Sequence, residues 1–153
     1  MSNSPMRRLT VAMIWLIYYK GGAILLSTMF LGVSTKCGTI VEGVPVKCTS
    51  TGMVLCCKGN IDVNVSFASL SEWSGVCDIN GMNIYDDDVV ASAIGVEYIV
   101  RHCQYIDKGC RLYGFCLQGT EGLADFKGLT LTDPLVSALG LRVQSVCRSW
   151  RQV

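Results

Sequence analysis

Apolar and polar positions fall into three regimes along the chain. From Leu9 to Ser34 the run LTVAMIWLIYYKGGAILLSTMFLGVS is apolar apart from Lys20 and is preceded by Arg7 and Arg8. Beyond it the period shortens to two. Thr39 to Cys48 (TIVEGVPVKC) and Met53 to Cys57 are rich in strand-forming residues, and Gly43 with Pro45 predicts an edge position for the first. Lys58, Gly59 and Asn60 mark a turn. Asn60 to Phe67 then alternates, with Ile61, Val63, Val65 and Phe67 on one face and Asp62, Asn64 and Ser66 on the other, which predicts a half-buried strand.

The third regime has helical spacing. Asp86, Asp87 and Asp88 can accept the open N–H groups of a first helical turn. Behind them Val89, Ala93, Val96, Val100 and Cys103, widened by Val90, Ile94 and Tyr98, form an apolar stripe that predicts a helix buried against a sheet. Cys110 to Gln118 reads as a strand and Gly128 to Leu131 as a short one. Thr132, Asp133 and Pro134 open a helix of about two turns that Gly140 ends, and Leu141 to Cys147 returns as a strand. The expected fold class is α+β: a small disulfide-stabilised sandwich, its sheet antiparallel or mixed, with two helices on one face.

The leader has three readings. Two basic residues before an apolar run match an export signal, with an apolar core from Ala23 to Val33 and cleavage near Val33, Ser34 and Thr35. Read as one uncleaved span, the segment places Lys20 near its centre, which costs about 2.5 to 3.5 kcal/mol on insertion scales. The third reading is a buried core segment. The first is preferred, dividing the chain into a signal peptide over 1–35 and one cysteine-rich domain over 36–153. In either of the first two, everything after Thr35 is delivered to the lumenal or extracellular side.

Composition sharpens this picture. The chain of 153 residues is 50% hydrophobic, which excludes a disordered protein. Arg7, Arg8 and Lys20 all precede Lys36 and no acidic residue does, so the remainder is weakly acidic, lacks a phosphate-binding footprint, and nucleic acid is excluded as a partner. All nine cysteines follow Lys36: Cys37, Cys48, Cys56, Cys57, Cys77, Cys103, Cys110, Cys116 and Cys147. That density points to disulfides formed in an oxidising compartment, and spacing leaves their connectivity open. Adjacent Cys56 and Cys57 would bond to different partners. The odd number leaves one thiol that is buried or joins a second chain in a covalent dimer.

Few constellations carry chemistry. His102 beside Cys103 evokes a cysteine nucleophile, yet neighbours on a helix diverge by about 100°. Asp78, Asn80, Asn83, Asp86, Asp87 and Asp88 gather oxygen ligands of the kind calcium takes, but Gly81 comes too early for an EF-hand; a solvated turn and helix cap is the expected role. Asn64, Val65 and Ser66 form an N-glycosylation sequon. Trp73, Trp150, Tyr113 and Phe115 are core or binding-patch aromatics. No hydrolase, metalloprotease, P-loop or dinucleotide fingerprint occurs, so no catalytic residue, metal or cofactor is assigned.

From Tyr105 to Cys147 the pattern YIDKGC, GFCLQG, GLTLTDPLVSALG and VQSVC resembles two groups of fungal secreted proteins, the smut-type killer toxins and the necrosis-inducing effectors. The resemblance implies a disulfide-bonded α/β sandwich in which a cysteine strand is followed by a helix and a closing cysteine strand, places that Cys110, Cys116 and Cys147 would take. The expected function is that of a secreted interaction protein acting on a protein or cell-surface target outside the producing cell, as an effector or toxin. The alternatives are a membrane-anchored lumenal or envelope-associated protein with an uncleaved leader, and a small secreted hydrolase.

Overall fold

The computed structural model describes residues 29–120 and 127–152, so the leader through residue 28 lies outside the described residues. The architecture is mostly β. Among the described residues eleven strands form two antiparallel sheets, of six and five strands, with one α-helix. This corrects the expected α+β sandwich with two helices on one face. The chain divides into two compact units, 1–73 with 150–153, and 74–149.

In the first unit, β1 (Phe30–Val33), β2 (Ile40–Cys48), β3 (Gly52–Cys57) and β4 (Ile61–Ser66) follow one another as an antiparallel meander. On its other side β1 pairs with the start of β5 (Ser71–Cys77), Phe30 opposite Glu72 and Leu31 opposite Ser71. All four β1 residues are buried. The stretch expected at the end of the leader is thus a strand held from both edges, and a cut after Val33 would detach it.

The sheet also curls back on itself. Ser34, just past β1, bridges Val65 of β4, and the Thr35 N–H donates to the Asn64 carbonyl at 2.9 Å. This approach requires a glycine: a Cβ at Gly32 would stand 2.8 Å from Val65 Cβ. A 3-10 turn at Phe67–Ser69 adds a further tie, because the Val33 N–H donates to Ser69 Oγ at 2.8 Å while that hydroxyl donates to the Ser66 carbonyl. Phe30, Met53, Leu55, Val65 and Leu70 form the core of this unit.

Two strand expectations need correction here. β2 is an interior strand between β1 and β3, not an edge. Pro45 is accommodated because the register with β3 shifts between Pro45 and Lys47, a bulge that absorbs the missing N–H. On β4 the alternation is read correctly but only Val65 is fully buried, while Ile61 is 60% exposed near the strand's start.

In the second unit the end of β5 is followed by β6 (Asn83–Tyr85), β7 (Val89–Ala91), β8 (Glu97–Asp107), β9 (Cys110–Gly119) and β10 (Leu129–Thr130), then helix α1 (Asp133–Leu139) and β11 (Arg142–Val143). The five-stranded sheet runs β10-β9-β8-β7-β11. Ile84, Val90, Val100, Leu117, Leu131, Val136 and Leu141 form its core. The helix expected after Asp86 to Asp88 is instead the β7–β8 hairpin. Ser92 N–H donates to the Val96 carbonyl and Gly95 turns at φ 90°, so the apolar stripe is two short period-two runs separated by a turn. Its Val, Ile and Tyr content favours strand once packing allows either.

Helix α1 matches its sequence signals. Thr132 Oγ1 accepts the Leu135 N–H at 3.2 Å, Pro134 occupies the first turn, and Gly140 ends the helix in the left-handed conformation. The strand expected over Leu141 to Cys147 shrinks to β11, and Ser145–Gln152 forms a 3-10 helix. The closing cysteine strand implied by the resemblance is therefore absent at Cys147.

Truncating the central strand should be costly. Phe30→Ala is expected to destabilise the first unit by about 3–5 kcal/mol through cavity formation, and Gly32→Ala by about 1–3 kcal/mol through collision with Val65. Denaturant titration followed by circular dichroism measures both, and a Gly32→Ala protein as stable as the parent would show that β1 and β4 do not close on each other.

Candidate functional site

The longest hairpin positions the residues with the most chemical content. β8 and β9 pair over ten register positions, from Tyr98 opposite Gly119 to Asp107 opposite Cys110. Lys108 and Gly109, both at positive φ, make the tight turn that right-handed strand twist favours. Alternation then sorts the side chains. Val100, His102, Leu117, Phe115 and Tyr113 share one face; Arg101, Cys103, Tyr105, Gly114 and Cys116 share the other.

On the first face an aromatic ladder leads out of the core. Val100 and Leu117 are buried, Phe115 is half-buried against them, and His102 stacks on Phe115 with ring centroids 4.2 Å apart and planes 10° apart. Tyr113 follows at 5.3 Å from His102, tilted by 59°, and is 70% exposed. Ring contacts of this kind hold each plane in place for about 0.5–1.5 kcal/mol a pair. Such a platform presents π faces at the surface in a fixed arrangement. The cysteine-nucleophile arrangement is not formed on this hairpin, because Cys103 projects to the opposite face from the His102 ring.

The oxygen-rich segment is structural in its contacts. Asp78 accepts N–H groups from Asn80 and Met82 on one oxygen and from Val143 on the other, at 2.8 to 2.9 Å, which fixes the turn and docks β11. Asp86 accepts the His102 backbone N–H, and Asp87 at φ 70° meets the Arg101 guanidinium at 3.0 Å. Asp88 is fully buried. It accepts the Tyr85 N–H, and Arg148 donates to both its oxygens at 2.8 and 2.9 Å while lying over the Tyr85 ring. The helix cap expected of this triplet is thus replaced by a buried acidic turn closed by two arginines. Sequence patterning did not signal Arg101 or Arg148, whose partners are 14 and 60 residues away.

Beside the hairpin turn, a cleft of about 510 Å³ is bounded by Tyr98, Ile106, Leu117 and Leu129, with Lys108 and Lys127 also lining it. Asp107 lies at this end. The Thr130 N–H and hydroxyl both donate to it, at 3.0 and 2.9 Å, and hold its carboxyl below the usual carboxylate range.

All nine cysteines are thiols in this structure. Cys37 and Cys110 are exposed; Cys48, Cys56, Cys57, Cys77, Cys103 and Cys147 are half-buried; Cys116 is buried. Cys56 and Cys57 alternate across β3, so they do point to opposite faces, Cys57 with Cys48 against the core of the first unit. Burial raises the Cys48 thiol above its ordinary value; burial, then the negative charges of Cys56, Asp62 and Glu42, raise that of Cys57. Cys77 Sγ contacts Asn83 Oδ1 at 3.2 Å. Asn64 is exposed on β4. Trp73 is half-buried, and the Trp150 side chain lies outside the described residues. No family model and no curated protein matches the chain.

Removing Arg148 should strand a buried carboxylate, so Arg148→Ala is expected to cost about 3–5 kcal/mol in thermal or chemical denaturation, far more than loss of a surface ion pair. In the reduced protein at neutral pH, iodoacetamide should modify Cys37 and Cys110 first and Cys48, Cys57 and Cys116 last, because raised thiol pKa values keep the unreactive protonated form. Peptide mapping over a time course measures the order.

Proposed function

We propose that this chain is an exported interaction protein that binds a protein or cell-surface target outside the producing cell through the aromatic ladder of the β8–β9 hairpin. The observation that carries the reading is Tyr113, 70% exposed on a rigid strand beside the stacked His102 and Phe115. Large apolar side chains held at a surface with little rotamer freedom left are what binding anchors require. The basic and apolar leader supports export, and the resemblance of residues 105–147 to killer toxins and necrosis-inducing effectors supports a toxin or effector role. In this reading the cysteines oxidise after translocation and Asn64, exposed in its sequon, receives the glycan.

The position of β1 also sets where processing falls. If the leader is cleaved, the cut precedes Phe30, since a product beginning at Lys36 lacks a strand paired on both sides.

Two measurements test the proposal. Expression in a eukaryotic secretory host, followed by N-terminal sequencing and intact mass, should give a product in the medium that begins before Phe30; retention of all the protein in the cytosol would refute export. With the secreted protein in hand, Tyr113→Ala should weaken binding to target-cell surfaces about tenfold or more, the range of a hot-spot loss, without lowering the melting temperature. Unchanged binding by a folded Tyr113→Ala protein would remove the ladder from the interface.

A further inference from the structure

The face of the β8–β9 hairpin opposite the aromatic ladder holds two sulfurs at close quarters. In the register Arg101 stands across from Cys116 and Cys103 across from Gly114, so Cys103 and Cys116 are diagonal neighbours on one face. What would separate them is missing or drawn aside. Gly114 has no side chain, and the Arg101 guanidinium is held by Asp87 at 3.0 Å. On the far side Gly128 packs against the same thiol: a Cβ built there would lie 2.9 Å from Cys116 Sγ. The two thiols are hydrogen-bonded to each other, and that contact, followed by burial, pushes the Cys116 pKa far above the ordinary thiol value.

We propose that Cys103 and Cys116 form a cross-strand disulfide that staples the β8–β9 hairpin when the protein meets a disulfide oxidant such as oxidised glutathione. This names one bond within the exported reading above and rests on it for the supply of oxidant. Diagonal cross-strand neighbours stand about 7–8 Å apart, just beyond the usual span of a disulfide, so closure needs the two strands to tighten locally at the pair. Gly114 leaves room for that movement, since a Cβ there would meet nothing within 4 Å.

Exposure sets the order of events. Cys103, the half-buried partner, attacks first: its thiolate bonds to one sulfur of the oxidant and the other leaves as a glutathione thiolate, which takes up a proton. Cys116, fully buried, then attacks the Cys103 sulfur of this mixed disulfide, releasing the second glutathione. Two protein thiols are oxidised, one oxidised glutathione is reduced to two glutathione thiols, and the protons shed by the protein thiols reside on those products.

The test uses the full chain, purified reduced and exposed to a glutathione redox buffer, then quenched with an alkylating agent and digested with trypsin. The expected result is a linked pair of peptides, His102–Lys108 joined to Leu112–Lys127, lighter than their sum by two hydrogens, and loss of alkylation at both cysteines. Cys103→Ser should abolish the linked pair and leave Cys116 alkylatable after denaturation; because Cys103 is not fully buried, this variant carries the test if Cys116→Ser fails to fold. Glutathione retained on Cys103 without closure, or Cys103 linked to Cys110 or any other cysteine, overturns the proposal. The two readings separate cleanly. A cytosolic protein whose pair closes in the purified state refutes export and keeps the bond, whereas a secreted protein with other disulfides but both these thiols alkylatable refutes the bond and keeps export.

Discussion

The first unit depends on the seating of β1. Four consecutive buried residues, Phe30 to Val33, are paired with β2 along one edge and β5 along the other, while the Val33 N–H is satisfied by Ser69 and the strand's extension bridges β4. A strand this short gains little from its own ladder. Its contribution is to convert the three-strand meander β2–β4, with two open edges, into a sheet that closes on itself, and the closure is possible because residue 32 lacks a side chain where Val65 must fit. Edge pairing, burial of Phe30 and close backbone approach are therefore one constraint expressed three times.

The second unit is organised by charge held away from water. Three consecutive aspartates are buried in a turn, a costly arrangement unless their charges are met. Arg148 meets Asp88 with two donors, Arg101 meets one oxygen of Asp87, and the backbone amides of Tyr85 and His102 donate to Asp88 and Asp86. Because these partners come from β6, β8 and the terminal 3-10 helix, the turn gathers elements remote in sequence around itself. The aromatic ladder stands on the same hairpin, so its orientation is inherited from this polar core.

What the sequence disclosed follows the range over which each signal acts. Helix α1 was readable because Thr132, Pro134 and Gly140 act within a turn of the residues they control. The strands at 40–48, 52–57, 61–66 and 110–119 were readable from local β-propensity and alternation. The stretch from Val89 to Cys103 was misread because apolar residues three and four apart fit a helix as well as two strands broken by Gly95, and only tertiary packing against Leu117 and Val136 decides between them. The edge assignment of β2 failed because a bulge can bring proline into a sheet interior. The cysteines were visible as a set, while the nearness of Cys103 to Cys116 required the register of a hairpin that sequence did not predict in that form.

The tie between Val33 and Ser69 spans 36 residues, which carries a timing consequence for synthesis. The strand at Phe30–Val33 is made ahead of its partners, and its Val33 N–H stays unsatisfied until Ser69 has been added, a wait of about 2–7 s at ordinary elongation rates. During that interval the apolar side chains of β1 lack part of their packing, and whichever reaches them first, protease or folding partner, decides the fate of the nascent polypeptide.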